Sequence, residues 1–141
     1  MIVLAFDFGV KSIGVAQTNT QAASLGGGCN ELAPIPAKDG IPNAEDMENL
    51  FQEWKPKLIV VGLPFNSDGS DMEITRRARK FGNRLHAKFS VELVFIDETL
   101  TTKEAKHEVH SRDKKHHGNY HQQPVDSIAA RLILESWLNE Q

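Results

Sequence analysis

Short apolar runs bounded by glycine or acidic residues constrain the fold of this chain more than any other feature. Ile2–Phe8 is apolar almost throughout, is bounded by Gly9, and predicts a buried strand because it is too short for a typical helix. Leu58–Gly62 (LIVVG) predicts a central strand, and Val91–Ile96 predicts another, followed by two acidic residues. A β-sheet therefore lies at the centre of the predicted fold.

Apolar residues recur at helical spacing between and after these strands. Ala44–Trp54 shows this spacing and is stopped by Pro56, and Ile74–Phe89 marks the apolar face of a second helix. Pro124 opens a final helix, since proline is favoured at the first helical position.

In the N-terminal third, the sequence predicts strands joined by turns or loops and no helix. Ser12–Thr18 predicts a strand joined to the first by a tight turn, and Leu32–Ala37 predicts an edge strand because its two prolines suit only an edge. Gln21–Asn30, with three consecutive glycines, predicts a loop or a distorted hairpin. The order β-β-β-α-β-α-β-α indicates the α/β class in a single domain spanning residues 1–141.

The composition excludes several classes of protein. The chain has 141 residues, 40% of them apolar, and a net charge of −3, so any contact with a polyanion needs a local basic patch. The only cysteine is Cys29, which rules out an intramolecular disulfide and a cysteine metal cluster. The apolar N-terminal run reaches Asp7 too soon for a signal peptide or membrane span, so we expect a cytoplasmic protein with no membrane association.

Three acidic residues stand where a strand ends or a helix begins. They are Asp7 in AFDFGVKSIGVA, Glu98 in VFIDETLTT and Asp126 in PVDSIAARLIL. Such ends gather at one rim of an α/β sheet, where three carboxylates can hold divalent metal ions. Metal pairs held by carboxylates are the usual machinery for cutting phosphodiesters, which points to a metal-dependent nuclease.

Each acidic residue also has a structural interpretation. Asp7 can support the turn at Gly9, Glu98 can cap the following helix, and Asp126 can oppose the positive end of a helix dipole. Strand alternation puts Asp97 and Glu98 on opposite faces, so only one of them joins the site, and we choose Glu98.

Basic residues supply candidate phosphate contacts. Lys11 follows Gly9 within a DxGxxxxG pattern, in which the turn lets a phosphate approach the backbone. The helix after Asp71 carries a basic stripe opposite its apolar face, which is either a solvated face or a surface that binds phosphates. The stripe consists of Arg76, Arg77, Lys80, Arg84 and Lys88. Histidines between residues 107 and 121 match no metal-ligand spacing, and we predict a polar loop there.

Together these motifs resemble the YqgF/RuvX family, bacterial proteins described as Holliday junction resolvases or pre-ribosomal RNA nucleases. The matching stretches, in order along nearly the whole chain, are AFDFGVKSIGVA, VVGLPFNSDGS with RRARKFGNRL, VFIDETLTT and VDSIAARLILESWL.

The resemblance implies a ribonuclease H-like fold, a mixed five-stranded sheet with helices on both faces. It implies that Asp7, Glu98 and Asp126 form the acidic triad that holds Mg²⁺ or Mn²⁺. It also implies maturation of the 5′ end of small-subunit ribosomal RNA, in association with pre-ribosomal particles.

The chain departs from the family pattern in three places, one of which is the triple-glycine segment around Cys29. Many relatives carry basic residues just before VDS, where this chain has Gln122-Gln123-Pro124. A fourth acidic residue of the better-known resolvases of this superfamily would fall at Ala129, so one metal is expected to bind weakly or to arrive with the substrate.

Four alternatives stay open. The substrate is precursor ribosomal RNA or branched DNA, and the protein is a monomer or a homodimer. DxGxxxxG before a hairpin also resembles the phosphate loop of actin-like ATPases, although those proteins enclose a nucleotide between two such domains. A non-catalytic ribosome- or transcription-associated module would bind RNA without metal dependence.

Overall fold

A computed structural model describes residues 1–98 and 125–141, and in the last helix it describes side chains from residue 127 onward. The strands are β1 (Ile2–Asp7), β2 (Ser12–Asn19), β3 (Asn30–Lys38), β4 (Ile41–Pro42), β5 (Leu58–Leu63) and β6 (Glu92–Asp97). The helices are α1 (Thr20–Ser24), α2 (Ala44–Trp54), α3 (Glu73–Phe89) and α4 (Val125–Asn139).

The described strands form one mixed sheet in the order β4-β3-β2-β1-β5-β6. β1 is antiparallel to β2 and parallel to β5, and β5 is parallel to β6. The carboxyl ends of β1, β5 and β6 therefore meet at one edge of the sheet, which we call the carboxyl edge. The predicted α/β class and mixed sheet are confirmed.

The strand count differs from the predicted five because β4 adds a sixth, two-residue strand. Lys38 pairs with Ile41 across a two-residue turn, in which Asp39 has φ 50° and Gly40 has φ 80°. Positive φ at both central residues is the geometry of a type I′ hairpin, for which Asp-Gly is a preferred sequence. The prolines of β3 are accommodated because β3 has only this short strand on its outer side.

The predicted loop at Gln21–Asn30 is only partly correct, because α1 occupies its first residues. The side chain of Asn19 accepts a hydrogen bond from the backbone N–H of Gln21 at 3.1 Å, which caps this five-residue helix.

Two apolar cores lie on opposite faces of the sheet, because alternate residues of each strand point to opposite sides. Leu4 and Phe6 of β1 pack with α2 and α3, whereas Val3 and Ala5 pack with α4. We call these the α2/α3 face and the α4 face. Helices thus cover both faces, as predicted. None of the described helices is long and apolar enough to cross a membrane.

Polar contacts hold the start of α4 against β3. The Ser127 hydroxyl donates to the Leu32 carbonyl at 2.7 Å, and the Arg131 guanidinium meets Glu31 at 2.9 Å and Glu135 at 3.1 Å. Arg131 and Glu31 are both mostly buried, so this pair is less screened by solvent than a surface ion pair. The contacts fix where the first turn of α4 lies along the sheet.

Candidate active site

Asp7 is the last residue of β1 and lies at the carboxyl edge, half-buried and opposite Gly14 of β2. It continues the alternation of Val3 and Ala5, which places it on the α4 face. The adjacent turn is tight, because a side chain at Gly9 would collide with the carbonyl oxygen of Ser12. Gly9 is therefore required by the turn itself.

Glu98 follows β6 directly, and its side chain is only 4% exposed. Its backbone N–H donates to the Leu63 carbonyl at 3.1 Å, which extends the pairing of β5 and β6 by one residue. A Cβ atom on Gly62 would lie 2.9 Å from the Glu98 Oε2 atom and would collide with Ile133 of α4. The carboxylate thus lies over Gly62 on the α4 face, in space that exists because residue 62 is glycine.

Asp97 occupies the other face of the sheet. It is exposed and is in register with Leu63, whose side chain belongs to the core of the α2/α3 face. The expected separation of Asp97 and Glu98 is therefore observed. Glu98 lies over β5, the strand directly beside β1, so roughly one strand spacing of about 5 Å separates it from the strand of Asp7.

The backbone of Asp126 belongs to the first turn of α4, but its side chain is not among the described ones. The predicted polar loop with its histidines, residues 107–121, also lies outside the described residues. Position 126 precedes Ala130 by four residues and Ile133 by seven, and both of these pack against the sheet. Helical periodicity puts the three positions on one stripe of α4. The role of Asp126 in the triad stays a prediction.

The donor chemistry of this edge suits a hard divalent cation. Asp7 and Glu98 offer carboxylate oxygens, the ligands that Mg²⁺ and Mn²⁺ prefer. Within residues 1–98 and 127–141, no three histidine, cysteine or acidic side chains form a group that could hold a metal ion. Position 126, whose side chain lies outside the described residues, is the predicted third ligand.

The predicted phosphate-binding residues divide into two groups. Arg77 is engaged within the fold: its Nη2 donates to the Asp39 carbonyl at 2.6 Å, and its guanidinium lies 6.0 Å from the centre of the Phe8 ring. Lys11, Arg76, Lys80 and Arg84 are exposed, and among the described residues neither Lys80 nor Arg84 forms an ion pair. These exposed cations remain available to a ligand.

Two exposed aspartates near the start of α3 are held in the charged form. The Arg79 guanidinium lies 2.8 Å from Asp71, and this hydrogen bond lowers the pKa of that carboxyl. Hydrogen bonds from the side chain and backbone of Ser70 lower the pKa of Asp68. These contacts order the loop before α3 and leave both aspartates as negative charges beside the basic stripe.

Two features of the site were missed from sequence. Gly62 lies within β5, and a glycine in a buried strand is a signal of close approach by another group. The second is a groove of about 460 Å³ between α2, α3 and the β3–β4 turn, lined in part by Phe8 and Phe81. Its lining comes from segments far apart in the chain, so no local pattern predicts it.

Comparison with known proteins identifies the family. Residues 1–140 match the model of the RuvX family, whose description is Holliday junction resolvase. A Saccharophagus degradans protein named "Putative pre-16S rRNA nuclease" is 53% identical over 137 residues, which cover 96% of this chain and 91% of that relative. A protein of the same name from Chromohalobacter salexigens is 50% identical, over 96% of this chain and 88% of that relative. Another from Aeromonas salmonicida is 47% identical, over 99% of this chain and 95% of that relative.

Solved structures show the same fold at low sequence identity. Thermus thermophilus RuvC in complex with a Holliday junction substrate matches with a TM-score of 0.56 and 14% identity, over 99% of this chain and 96% of that one. The fowlpox virus Holliday junction resolvase matches with a TM-score of 0.52 and 12% identity, over 99% of both chains. The fold is that of the RuvC-type, ribonuclease H-like resolvases, and the chain belongs to the RuvX family of nucleases.

Proposed function

We propose that this protein is a Mg²⁺- or Mn²⁺-dependent endonuclease that matures the 5′ end of precursor small-subunit ribosomal RNA. The observation that carries the proposal is the placement of Asp7 and Glu98 at the carboxyl edge, on the face covered by α4, whose first turn contains position 126. The curated relatives named for pre-16S rRNA support the RNA substrate.

Asp7, Glu98 and Asp126 would hold the metal ions through their carboxylate oxygens. Bound divalent ions in such sites supply an activated water and stabilise the charge on the leaving oxygen. The protein's own contribution is to fix the carboxylates: Glu98 by burial over Gly62, and Asp7 by its place at the end of a central strand. Lys11, Arg76, Lys80 and Arg84 would bind phosphates and so position the strand without reading its sequence.

The expected location and partners of the protein follow from the proposed substrate. Precursor ribosomal RNA is part of assembling ribosomes, so we expect the protein in the cytoplasm and in contact with pre-ribosomal particles. A monomer suffices for cleavage of one RNA strand.

Cleavage of branched DNA is the second candidate function. The family description and the structural relatives with Holliday junctions favour it. A resolvase cuts two opposed strands and so needs two copies of the site, related by the symmetry of a dimer. The two candidates therefore differ in oligomeric state as well as substrate.

Comparing the two substrates directly tests the proposal. Wild type and Asp126→Asn would be incubated with a labelled precursor ribosomal RNA and with a four-way DNA junction, in Mg²⁺, Mn²⁺ or EDTA. We expect metal-dependent cleavage of the RNA at its 5′ end by wild type and loss of that cleavage in the variant. Preferred cleavage of the junction would establish the second candidate. Equal RNA binding by both proteins with cleavage of neither substrate would instead indicate a non-catalytic binding module.

A further inference from the structure

We propose that the groove between α2, α3 and the β3–β4 turn binds one unpaired nucleotide of the nucleic-acid strand, with the base in the groove and its phosphate on Lys80 and Arg84. This inference rests on the proposed function, since it identifies a further contact of the same strand. It also specifies the substrate class: a strand with an unpaired nucleotide next to the cleavage site.

The size and floor of the groove suit a base. Its volume is about 460 Å³, within the range of roughly 300–1,000 Å³ that is usual for small-ligand sites. Phe8, Met47, Phe81 and Leu85 supply a buried apolar floor. Ile41 lies at the groove and is 63% exposed, an apolar side chain that a bound base would cover.

The charge around the groove suits a phosphate. Four of its lining residues are basic and one, Asp39, is acidic, although the whole chain has a net charge of −3. Arg77 is paired with Asp39 at 3.2 Å and Lys88 with Glu48 at 3.4 Å. Lys80 and Arg84 form no ion pair among the described residues, and their four-residue spacing places them side by side on α3. These two cations are therefore the ones that a phosphate would meet.

The position of the groove connects it to the carboxyl edge. Phe8, which lines the groove beside Arg77, follows Asp7 directly in sequence. From there α3 extends from Arg77 to Lys88, about 16 Å along the helix axis. A strand bound at Asp7 can thus enter the groove by crossing the edge of the sheet.

An unpaired nucleotide fits this path better than a duplex. The groove lies on the α2/α3 face and Glu98 on the α4 face, so an occupant of both must bend sharply around the edge. Duplex DNA is stiff over about 150 base pairs, and its bases are stacked away from side chains. Single strands bend freely and place bases against aromatic and apolar surfaces while basic side chains follow the backbone.

Binding without catalysis tests this inference. Affinities would be measured in EDTA, in a Glu98→Gln background, for three probes: a short single-stranded RNA, the same backbone with abasic sites, and a perfect RNA duplex. We expect the intact single strand to bind roughly 10-fold tighter than the abasic strand, because stacking of a base contributes about that much. Ile41→Ser should reduce that ratio toward one, and Lys80→Ala should weaken both single strands several-fold.

Matched controls change similar residues away from the groove. Leu25 is 89% exposed and Lys57 is exposed directly before β5, so Leu25→Ser and Lys57→Ala should leave the ratio and the affinities unchanged. A free nucleoside monophosphate added as competitor separates two sources of the same chemistry. Competition at micromolar levels would show a site for free nucleotides and would overturn the assignment to the strand.

The result also separates this inference from the proposed function. Equal binding of intact and abasic strands, or equal binding of the duplex, would overturn the groove site even if the wild type cleaves precursor RNA. Base-dependent binding lost in Ile41→Ser would support the groove site even if the protein cleaves nothing.

Discussion

The two faces of the sheet are packed by residues of different size. On the α4 face the packing residues include Ala5, Ala16 and Ala130, and Gly62 lies beside Ile133. On the α2/α3 face, aromatic rings pack together: Phe6 meets Phe81 edge-on with centroids 5.7 Å apart. Small residues let a helix lie close to its sheet, and α4 thereby brings its first turn toward the acidic edge. The groove lined by Lys80 and Arg84 lies on the α2/α3 face, so the proposed cleavage site and the proposed nucleotide-binding groove occupy opposite faces of the sheet.

The largest effect is expected from replacing the buried Glu98 carboxyl group on the α4 face. Glu98→Gln keeps the shape of the side chain but removes an oxygen that we propose to hold a metal ion, so the cleavage rate should fall on the order of 100-fold or more. The matched control is Asp97→Asn, at the neighbouring position on the other face, which should change the rate by less than about 3-fold. Initial rates of RNA cleavage would measure both. Equal losses in the two variants would contradict the assignment of the faces.

Cys29 packs against the core of the α4 face, and its thiol should therefore react slowly with alkylating reagents. Burial of Cys29, together with the nearby Glu135 carboxylate, raises the pKa of the thiol from 9.0 to about 11. The reactive thiolate should therefore be about 100-fold scarcer at pH 8 than in the unfolded chain, with alkylation correspondingly slower. The native rate should rise about tenfold for each pH unit up to roughly pH 10, whereas the rate in urea should level off near pH 9. A native rate that levels off near pH 9 would show that Cys29 is exposed.

A methyl group at Gly62 should disturb the acidic face locally. Gly62→Ala puts a carbon next to the Glu98 carboxylate and Ile133, so we expect about a 10-fold loss of cleavage and about 1–3 kcal/mol less stability. Gly28 has no atom within 4 Å of an added Cβ and serves as the control, with stability changed by less than about 0.5 kcal/mol in Gly28→Ala. Urea unfolding and cleavage rates measure both effects. Full activity in Gly62→Ala would show that cleavage does not depend on the position that the Glu98 carboxylate occupies over Gly62.

The smallest effect is expected on the α2/α3 face, at the end of α3. Ser90 follows the last residue of α3 with φ 53°, a left-handed conformation that glycine adopts without steric cost. Ser90→Gly should therefore raise the free energy of unfolding by about 0.5–1 kcal/mol and leave cleavage unchanged. Reduced cleavage at increased stability would show that the two faces are coupled.

Local patterns in the sequence predict the elements better than they predict the site. The run Ile2–Phe8 predicts a buried strand and Leu58–Gly62 a central one, because two-sided burial makes a strand uniformly apolar. The separation of Asp97 from Glu98 follows from strand alternation alone. The turn at Asp39-Gly40 was missed although its dipeptide is a hairpin signal, because β4 has too few residues to form a recognisable apolar run.

The remaining features depend on long-range packing. The groove joins Phe8, Ile41 and Phe81 from three separate segments, and the space for the Glu98 carboxylate depends on Gly62 of β5. The engagement of Arg77 by Asp39, 38 residues away, likewise cannot be read from the basic stripe. Sequence spacing orders residues along one element, whereas these contacts depend on which elements are neighbours.

Single-turnover cleavage of precursor RNA tests the division between the two faces most directly, because it yields the strand affinity and the cleavage rate constant separately. The comparison is between Glu98→Gln and the double variant Lys80→Ala/Arg84→Ala. We predict that Glu98→Gln binds the strand with wild-type affinity but has a much lower cleavage rate constant. The double variant should bind the strand more weakly but cleave it with the wild-type rate constant at saturation. Loss of both quantities to the same extent in both variants would contradict the account.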